Sequence, residues 1–136
     1  MKILGLNRVE LLLPDRDLDD AIETFNAGLG FELSKPLTLD EGIRSSVDFA
    51  AGLELVSPSS AASPVSPLLG DGKRGALLTI VWEVDSIESA KAWAEEKGLP
   101  ILFAYEGHGI KQLCFHESAF HGYVVTLMER VGETVL

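Results

Sequence analysis

The sequence predicts an α+β protein built from two βαβββ modules that form a concave, partly open mixed barrel. The chain contains two similar segments, residues 6–33 and 77–103, and each has an apolar strand pattern, an aspartate, a helical pattern and glycine at the helix end. Two further strand patterns follow each segment, so that one module has four strands and one helix. Because one such module leaves a face of its sheet uncovered, we expect the two modules to pair.

The modules are predicted at residues 3–57 and 76–130 of a single domain that covers all 136 residues. Between them, residues 58–75 contain three prolines together with several serines and glycines. This composition is typical of a linker.

The helix of each module is predicted from its ends as well as from its apolar spacing. Asp17 and Ser86 are candidate N-cap residues, because their side-chain oxygens can accept hydrogen bonds from free backbone N–H groups. Acidic residues follow in the first turn, where the helix dipole favours them. The first helix is predicted to end at Gly28 with Gly30, and the second at Gly98.

Each module is predicted to have three strands after its helix. In the first module these strands are expected at residues 31–34, 43–50 and 53–57. In the second module they are expected at residues 100–104, 111–116 and 123–129.

The composition argues against several classes of function. A net charge of −10 and an isoelectric point near 4.6 disfavour nucleic acid and anionic membranes, since phosphate binding needs clustered Lys and Arg. No apolar run approaches the roughly 20 residues of a membrane-spanning helix, and the apolar start lacks the cleavage site of a secretory signal. The single cysteine, Cys114, allows no internal disulfide, so we expect a cytoplasmic protein.

Three stretches of the chain carry a family resemblance: ELVSPSSAASPVSPLL (54–69), GALLTIVWEVDSIESA (75–90) and GHGIKQLCFHESAFHGYVVTLMER (107–130). With the duplicated βαβββ pattern, they resemble the glyoxalase/bleomycin-resistance/extradiol-dioxygenase superfamily, also called the vicinal-oxygen-chelate fold. The most similar branch is that of the methylmalonyl-CoA epimerases. The resemblance covers residues 3–130 and implies the fold, whereas one such fold supports many reactions.

The resemblance also implies a metal site with one ligand from each of four strands, at Arg8, Glu54, Thr79 and Thr126. Only Glu54 is a competent ligand, because arginine stays charged and threonine hydroxyls are weak neutral donors. A transition metal needs several imidazole or carboxylate ligands. We therefore expect no metal cofactor, and an Arg8–Glu54 ion pair in its place. The catalytic bases of the epimerase branch fall at Thr126 and, by a looser alignment, at Ser45.

Glu10 is the unusual residue of the first strand, a carboxylate within the apolar run VELLL. Strand alternation places it on the concave face with Arg8 and Leu12. Three roles stay open: a general base, a partner of Arg8 or Arg44, or an exposed residue if the register differs by one. Glu10 is thus the candidate catalytic residue, and the candidate ligand-binding residues are Arg8, Glu10, Glu54, Thr79, Thr126 and Met128.

The remaining candidates for chemistry are histidines and a cysteine. A displaced metal site formed by Glu10, Glu54 and two of the histidines His108, His116 and His121 stays open, although their spacing matches no standard ligand motif. We expect surface or turn-stabilising roles for these histidines. Cys114 lies within a predicted strand without an adjacent base and is expected in the core.

Two classes of function follow from this pattern. The first is a metal-independent small-molecule binder with its ligand in the cleft between the modules, as the resemblance to drug-binding members of the superfamily implies. The alternative is an isomerase, lyase or dioxygenase-type enzyme that acts on a small carboxylate or acyl substrate held by Arg8. The acidic charge disfavours coenzyme A, with Lys73, Arg74 and Lys111 as a local exception. The resemblance further implies a homodimer.

Overall fold

The computed structural model describes residues 1–39, 41–70 and 75–133. In these residues the predicted βαβββ order occurs twice, which confirms the α+β class. The first module consists of β1 (Ile3–Leu12), α1 (Leu18–Leu29), β2 (Leu37–Leu39), β3 (Ile43–Asp48) and β4 (Leu53–Pro58). The second consists of β5 (Ala76–Val84), α2 (Ile87–Lys97), β6 (Ile101–Gly107), β7 (Ile110–Phe115) and β8 (Val125–Arg130).

The chain divides into two compact units. The first unit contains residues 8–78, and the second contains residues 1–7 together with the chain from Thr79 onward. Strand β1 therefore begins in the second unit and continues in the first. Lys73 and Arg74, which the sequence suggested for coenzyme A, lie outside the described residues.

The two modules have the same strand topology and the same register. In the first, the strand order is β2-β3-β4-β1, with β1 parallel to β4 and Glu10 opposite Glu54. In the second, the order is β6-β7-β8-β5, with β5 parallel to β8 and Val81 opposite Thr126. The remaining pairs within each module are antiparallel. The duplication predicted from the sequence is therefore present at the level of individual residue pairs.

Each module buries one face of its strands under its helix. In the first unit, Leu53 and Leu55 of β4 pack with Leu18 of α1, and Leu11 and Leu13 pack against this cluster. In the second unit, a corresponding cluster joins the helix to the sheet through Val84, Ile87, Ala90, Ala94, Leu113, Phe115 and Leu127. Burial of such side chains drives the packing, and the alternation along β1 leaves Arg8 and Glu10 on the opposite face.

The helix ends follow the sequence with two corrections, at Asp17 and at Gly28. The Ser86 side chain accepts a hydrogen bond from the Ser89 N–H at 3.1 Å, as an N-cap should, whereas Asp17 stands at the N-cap of α1 without such a bond. Gly30 and Gly98 end the two helices in the left-handed conformation, while Gly28 lies inside α1. Neither helix of the described chain has the length and apolar composition needed to cross a membrane.

The strand predicted at residues 31–34 is wrong. This segment forms no strand, because other groups satisfy the backbone of Glu32 and Leu33, although the Ser34 N–H donates to the Val47 carbonyl of β3 at 3.1 Å. The Leu33 N–H donates to Asn26 Oδ1 at 2.8 Å, Asn26 Nδ2 donates to the Leu33 carbonyl at 3.1 Å, and the Glu32 N–H donates to Asp48 Oδ2 at 2.8 Å. The short strand β2 forms further along, at Leu37–Leu39, where it pairs with β3.

Candidate functional site: a buried charged centre

Four polar side chains meet in the first unit, and we call this group the charged centre: Arg8, Glu10, Ser45 and Glu54. All four are less than a tenth exposed, at 3%, 4%, 7% and 8% respectively. Strand β1 supplies Arg8 and Glu10, whose two-residue spacing puts them on one face. Glu54 lies opposite Glu10 on β4, and Ser45 comes from the next strand, β3.

The ion pair predicted between Arg8 and Glu54 is present. Arg8 Nε donates to Glu54 Oε1 at 2.6 Å, and Ser45 Oγ donates to Glu54 Oε2 at 2.6 Å. The guanidinium carbon of Arg8 lies 5.2 Å from the centre of the Phe49 ring, within the range of a cation–π contact. Both oxygens of Glu54 are thus engaged, and the orientation of Arg8 is fixed by a charge-assisted hydrogen bond and an aromatic face.

Glu10 has a different position in the centre. Its Oε2 atom lies 3.7 Å from Arg8 Nη2, which is beyond hydrogen-bond distance, and this buried oxygen has no hydrogen-bond partner. The structure therefore excludes an exposed Glu10. It also excludes Arg44 as its partner, because Arg44 binds Asp15 at 3.0 Å and Asp19 at 2.9 Å.

Burial and neighbouring charge set the protonation of the centre. Burial, together with the negative charge of Glu54, raises the pKa of Glu10 from its usual value near 4.5 to about 8, although Arg8 opposes the shift. Burial lowers the pKa of Arg8, but attraction to Glu54 and Glu10 outweighs it, so the net direction is upward. The neutral form of Glu10 is therefore favoured at pH 7.

The equivalent positions in the second unit hold neutral groups, which we call the hydroxyl pair: Thr79 and Thr126. Thr79 Oγ1 lies 3.1 Å from Thr126 Oγ1 and donates to the Val124 carbonyl at 2.8 Å. Thr126 Oγ1 also donates to the buried Cys114 sulfur at 3.4 Å. These hydroxyls have partners within the protein, and Cys114 lies in the core as expected.

Met128, a candidate ligand-binding residue, is fully buried. It packs with Val81 and Ile110, and Tyr105 covers this small apolar cluster. The structure thus groups the six candidate residues into Arg8, Glu10 and Glu54 in one unit and Thr79, Thr126 and Met128 in the other.

The residues at the four metal-ligand positions do not fit a transition metal. A guanidinium occupies one position and is bonded to the single carboxylate, while two others hold threonine hydroxyls. Such a donor set has one carboxylate and no imidazole, whereas these metals require several ligands of these two kinds. Across residues 1–39, 41–70 and 75–133, no three His, Cys, Asp or Glu side chains are grouped to hold a metal ion, so the displaced site left open by the sequence is not formed there.

The three histidines lie at turns, as expected. His108, which follows β6, has a positive φ of 54° and is hydrogen-bonded through Nδ1 to the Tyr105 hydroxyl. The His116 side chain accepts a hydrogen bond from the Ser118 N–H at 3.1 Å and so caps a single helical turn. His121 ends the same turn in the left-handed conformation.

An open apolar cavity of about 360 Å³ lies elsewhere, in the second unit. Trp82 and Trp93 both line it, and each is 37% exposed, although the Trp93 ring also packs edge-on against Phe115 with the ring centres 6.2 Å apart. The lining has no titratable side chain, so the cavity offers no acid–base chemistry; it consists of Met1, Ile3, Trp82, Trp93, Phe120, Val125 and Leu127.

Sequence reasoning identified three of the four members of the charged centre but not the role of Ser45. The family resemblance had placed a catalytic base at Ser45 by a loose alignment, and the other sequence signal was the two-residue spacing that puts Ser45 and Val47 on the Glu54 side of β3. That signal cannot distinguish a hydrogen-bond donor from a surface serine. The contact of Phe49 with Arg8 likewise depends on the turn after β3.

Two curated relatives support the resemblance to the methylmalonyl-CoA epimerase branch. The chain is 31% identical over 128 residues to the mitochondrial methylmalonyl-CoA epimerase of Bos taurus, covering 90% of this chain and 72% of that protein. It is 30% identical over 131 residues to the ethylmalonyl-CoA/methylmalonyl-CoA epimerase of Cereibacter sphaeroides, covering 90% of this chain and 95% of the relative. No family model matches the chain.

Solved structures show the same fold. The methylmalonyl-CoA epimerase of Mycobacterium tuberculosis superimposes with a TM-score of 0.78 at 21% identity, covering 96% of this chain and 90% of that one. A variant of the Streptomyces coelicolor enzyme in complex with 2-nitronate-propionyl-CoA gives a TM-score of 0.77 at 21% identity, over 96% and 100% of the two chains. Given the two curated relatives and this shared fold, the chain belongs to the methylmalonyl-CoA epimerase family of the glyoxalase/bleomycin-resistance/extradiol-dioxygenase superfamily.

Proposed function

We propose that the protein is a metal-independent small-molecule binder whose ligand is held at the charged centre. The observation that carries this proposal is the 2.6 Å bond from Arg8 Nε to Glu54 Oε1 at two positions where the family resemblance places metal ligands. A guanidinium supplies positive charge without a metal ion, and its planar N–H groups can bind carbonyl or carboxylate oxygens. The ligand would therefore approach the concave face beside Arg8 and Glu10.

The chemical class of the ligand is suggested by the relatives. The two curated relatives act on acyl-CoA substrates by name, and the Streptomyces coelicolor structure holds an acyl-CoA analogue. We propose an acyl or carboxylate ligand on this basis. The net charge of −10 opposes a long polyanionic carrier such as coenzyme A, so we expect contacts to be concentrated on the acyl end.

A thermal-unfolding screen of chelator-treated protein tests the proposed metal-independent binding. The panel contains methylmalonyl-CoA, propionyl-CoA, small carboxylates, cationic aromatic compounds and divalent metals. A ligand at about 100 times its Kd stabilises the folded state by roughly 2.7 kcal/mol, which is readily measured in a chain of this size. We expect a response to an organic ligand without added metal.

Matched variants locate the binding site. Arg8→Gln should abolish the response, and Ser45→Ala should weaken it in case Arg8→Gln folds poorly. The control is Arg130→Gln, which removes another paired arginine, one that binds Glu83 at 3.1 Å on the surface of the second unit. A ligand response that survives Arg8→Gln, or a response to metals alone, would overturn the proposal.

An isomerase-type enzyme is the second candidate, and the protonation of Glu10 favours it. A carboxyl group with a pKa of about 8 can both accept and donate a proton near neutral pH. Its Oε2 atom is unpartnered, and the Arg8 guanidinium nearby could stabilise negative charge on a substrate oxygen. In this scheme Glu10 would remove a proton from the carbon next to an acyl carbonyl and later return it.

Deuterium exchange separates the two candidates. Chelator-treated protein is incubated with methylmalonyl-CoA in D2O, and NMR follows deuterium at the carbon between its two carbonyl groups. Exchange that is abolished by Glu10→Gln and unaffected by the chelator would establish the enzyme. If deuterium exchanges no faster than in buffer without protein, and the ligand still binds, small-molecule binding remains the function.

We also propose a homodimer in the cytoplasm, as the sequence predicts. Support for self-association comes from large apolar side chains exposed in the second unit, among them Ile3, Trp82 and Trp93. Sedimentation at micromolar concentration should give twice the monomer mass. A monomer under these conditions would contradict the proposed assembly.

A further inference from the structure

The Arg8 side chain is the group that a ligand of the charged centre would contact, yet it is only 2% exposed. The side chains of Glu10 and Glu54 beside it are 5% and 10% exposed. A small molecule therefore reaches the guanidinium only after a neighbouring group moves. How firmly each neighbour is held determines which one can do so.

The polar neighbours of Arg8 are held firmly. Glu54 accepts a hydrogen bond from Arg8 Nε and another from Ser45 Oγ, each at 2.6 Å. Charge-assisted hydrogen bonds in a buried site are strong, and the three strands that carry these residues are paired with one another. Movement of these groups would break the ion pair or the sheet.

Phe49 is held in a different way. It lies in the turn of residues 49–52 that follows β3, and its half-buried ring lies over the Arg8 guanidinium, with the guanidinium carbon 5.2 Å from the ring centre. A cation–π contact at a partly exposed site is weak. Rotation of one side chain is also fast and leaves the backbone in place, so the Phe49 ring is the neighbour that can move at the least cost.

The backbone that carries Phe49 is anchored at both ends of its turn. Asp48 Oδ1 accepts a hydrogen bond from the Ala51 N–H at 3.0 Å, and the Asp48 carbonyl accepts one from the Gly52 N–H at 2.9 Å. The Val9 N–H of β1 donates to the Gly52 carbonyl at 2.9 Å, which ties the turn to the strand of Arg8. The ring can therefore swing on a fixed base.

We propose that the Phe49 ring is a movable cover that controls the access of small molecules to the Arg8 guanidinium. In the closed position the ring lies on one face of the guanidinium, and outward rotation of the side chain uncovers that face. As the route of a ligand, the cover rests on the proposed binding function of the charged centre. As a barrier to small molecules, it can be tested without that ligand.

Modification by phenylglyoxal, an uncharged dicarbonyl compound that reacts with arginine guanidinium groups, measures this access. The folded protein is treated at pH 8, and mass spectrometry of its peptides follows Arg8, Arg44 and Arg130 in the same sample. Arg8 should react most slowly of the three in the wild type. In Phe49→Leu, which keeps apolar bulk but removes the ring face, Arg8 should react about fivefold faster, because the cation–π contact that holds the cover closed is lost.

Phe49→Tyr is the matched control, because it keeps the ring and should leave Arg8 as slow as in the wild type. Arg44 of the first unit, which binds Asp15, and Arg130 of the second are internal controls whose rates should not change. An equal rise at Arg44 would mean that the first unit has loosened as a whole and would count against the cover.

The cover and the proposed function can fail separately. Unchanged protection of Arg8 in both Phe49→Leu and Phe49→Ala would overturn the cover, while ligand binding in the thermal screen would still support the proposed function. If the reactivity of Arg8 follows Phe49 as expected but no compound in the thermal screen binds, the proposed function fails and the cover stands.

Discussion

The two modules have one backbone plan and two different centres. Glu10 lies opposite Glu54 in the first module, and Val81 lies opposite Thr126 in the second, at the same place in the same parallel pair. The first centre holds a guanidinium between two carboxyl groups, while the second holds two hydroxyls above an apolar cluster. Apolar side chains on one face of the strands thus determine the fold of each module. A few side chains on the opposite face determine its chemistry.

The comparison also supports the proposed position of the ligand. The hydroxyl pair bonds within the protein at neutral charge, as stability alone would favour. The charged centre buries three ionisable groups, and such an arrangement is commonly no more stable than apolar residues of similar volume. Local features that conflict with stability are expected at functional sites, so the first module is the one in which we place the ligand.

The largest effect is expected from a substitution that disrupts the charged centre. Arg8→Ala leaves Glu54 buried without its cation, and we expect it to lower the free energy of unfolding by about 3 to 5 kcal/mol at pH 7. Urea denaturation measures the change. A loss below about 1 kcal/mol would mean that the ion pair adds little.

The unfolding free energy measured over a range of pH tests the contribution of Glu10, which has no counterpart in the second module. The folded protein keeps the Glu10 proton up to pH about 8, whereas the unfolded chain releases it near pH 4.5. Stability from this group is therefore complete below pH 4.5 and is lost as pH rises toward 8. Relative to Glu10→Gln, the wild type should lose about 2 kcal/mol of unfolding free energy between pH 5.5 and 7. If the unfolding free energies of the two proteins change in parallel with pH, the pKa of Glu10 is not raised.

Ser45→Ala tests the support of Glu54. The substitution removes the 2.6 Å hydrogen bond to Glu54 Oε2, and a bond to a charged acceptor contributes about 2 kcal/mol. Chemical denaturation at pH 7 should show this loss, and the response to ligands in the thermal screen should weaken. Full ligand response together with unchanged stability would mean that Ser45 has no part in the centre.

The smallest effect is expected at the hydroxyl pair. Thr126→Val removes the hydrogen bonds to Thr79 and Cys114 while it preserves side-chain shape. We expect a loss of about 1 kcal/mol, because these are bonds between neutral groups. The loss should be the same at pH 5.5 and pH 7 and should leave ligand binding unchanged. A marked effect on ligand binding would assign the second module a role in the site.

The sequence predicted the fold well because its signals are local and occur twice. Apolar periodicity, the Ser86 cap and the glycines Gly30 and Gly98 each specify a helix or its end. The failure at residues 31–34 has its cause in side chains outside the segment, since Asn26 and Asp48 bind the backbone groups that strand pairing would have used. Propensity could not reveal that contact.

The site was predicted in part. The family resemblance placed Arg8 and Glu54 at one site, and the expected ion pair is present. The state of Glu10 could not be derived, because it depends on the distance to Glu54, on burial and on which carboxyl group Arg8 and Ser45 select. These are properties of packing across three strands, and residue spacing along one strand does not specify them.

Cobalt titration of chelator-treated protein tests most directly the central claim, that a guanidinium stands in place of the metal. Absorption spectra and melting temperature are recorded at pH 7 as Co²⁺ is added to wild type and to Glu54→Gln. We expect no stoichiometric binding of Co²⁺ and no change in melting temperature for either protein. One equivalent of bound Co²⁺ in the wild type, lost in Glu54→Gln, would contradict it and would place a metal at the charged centre.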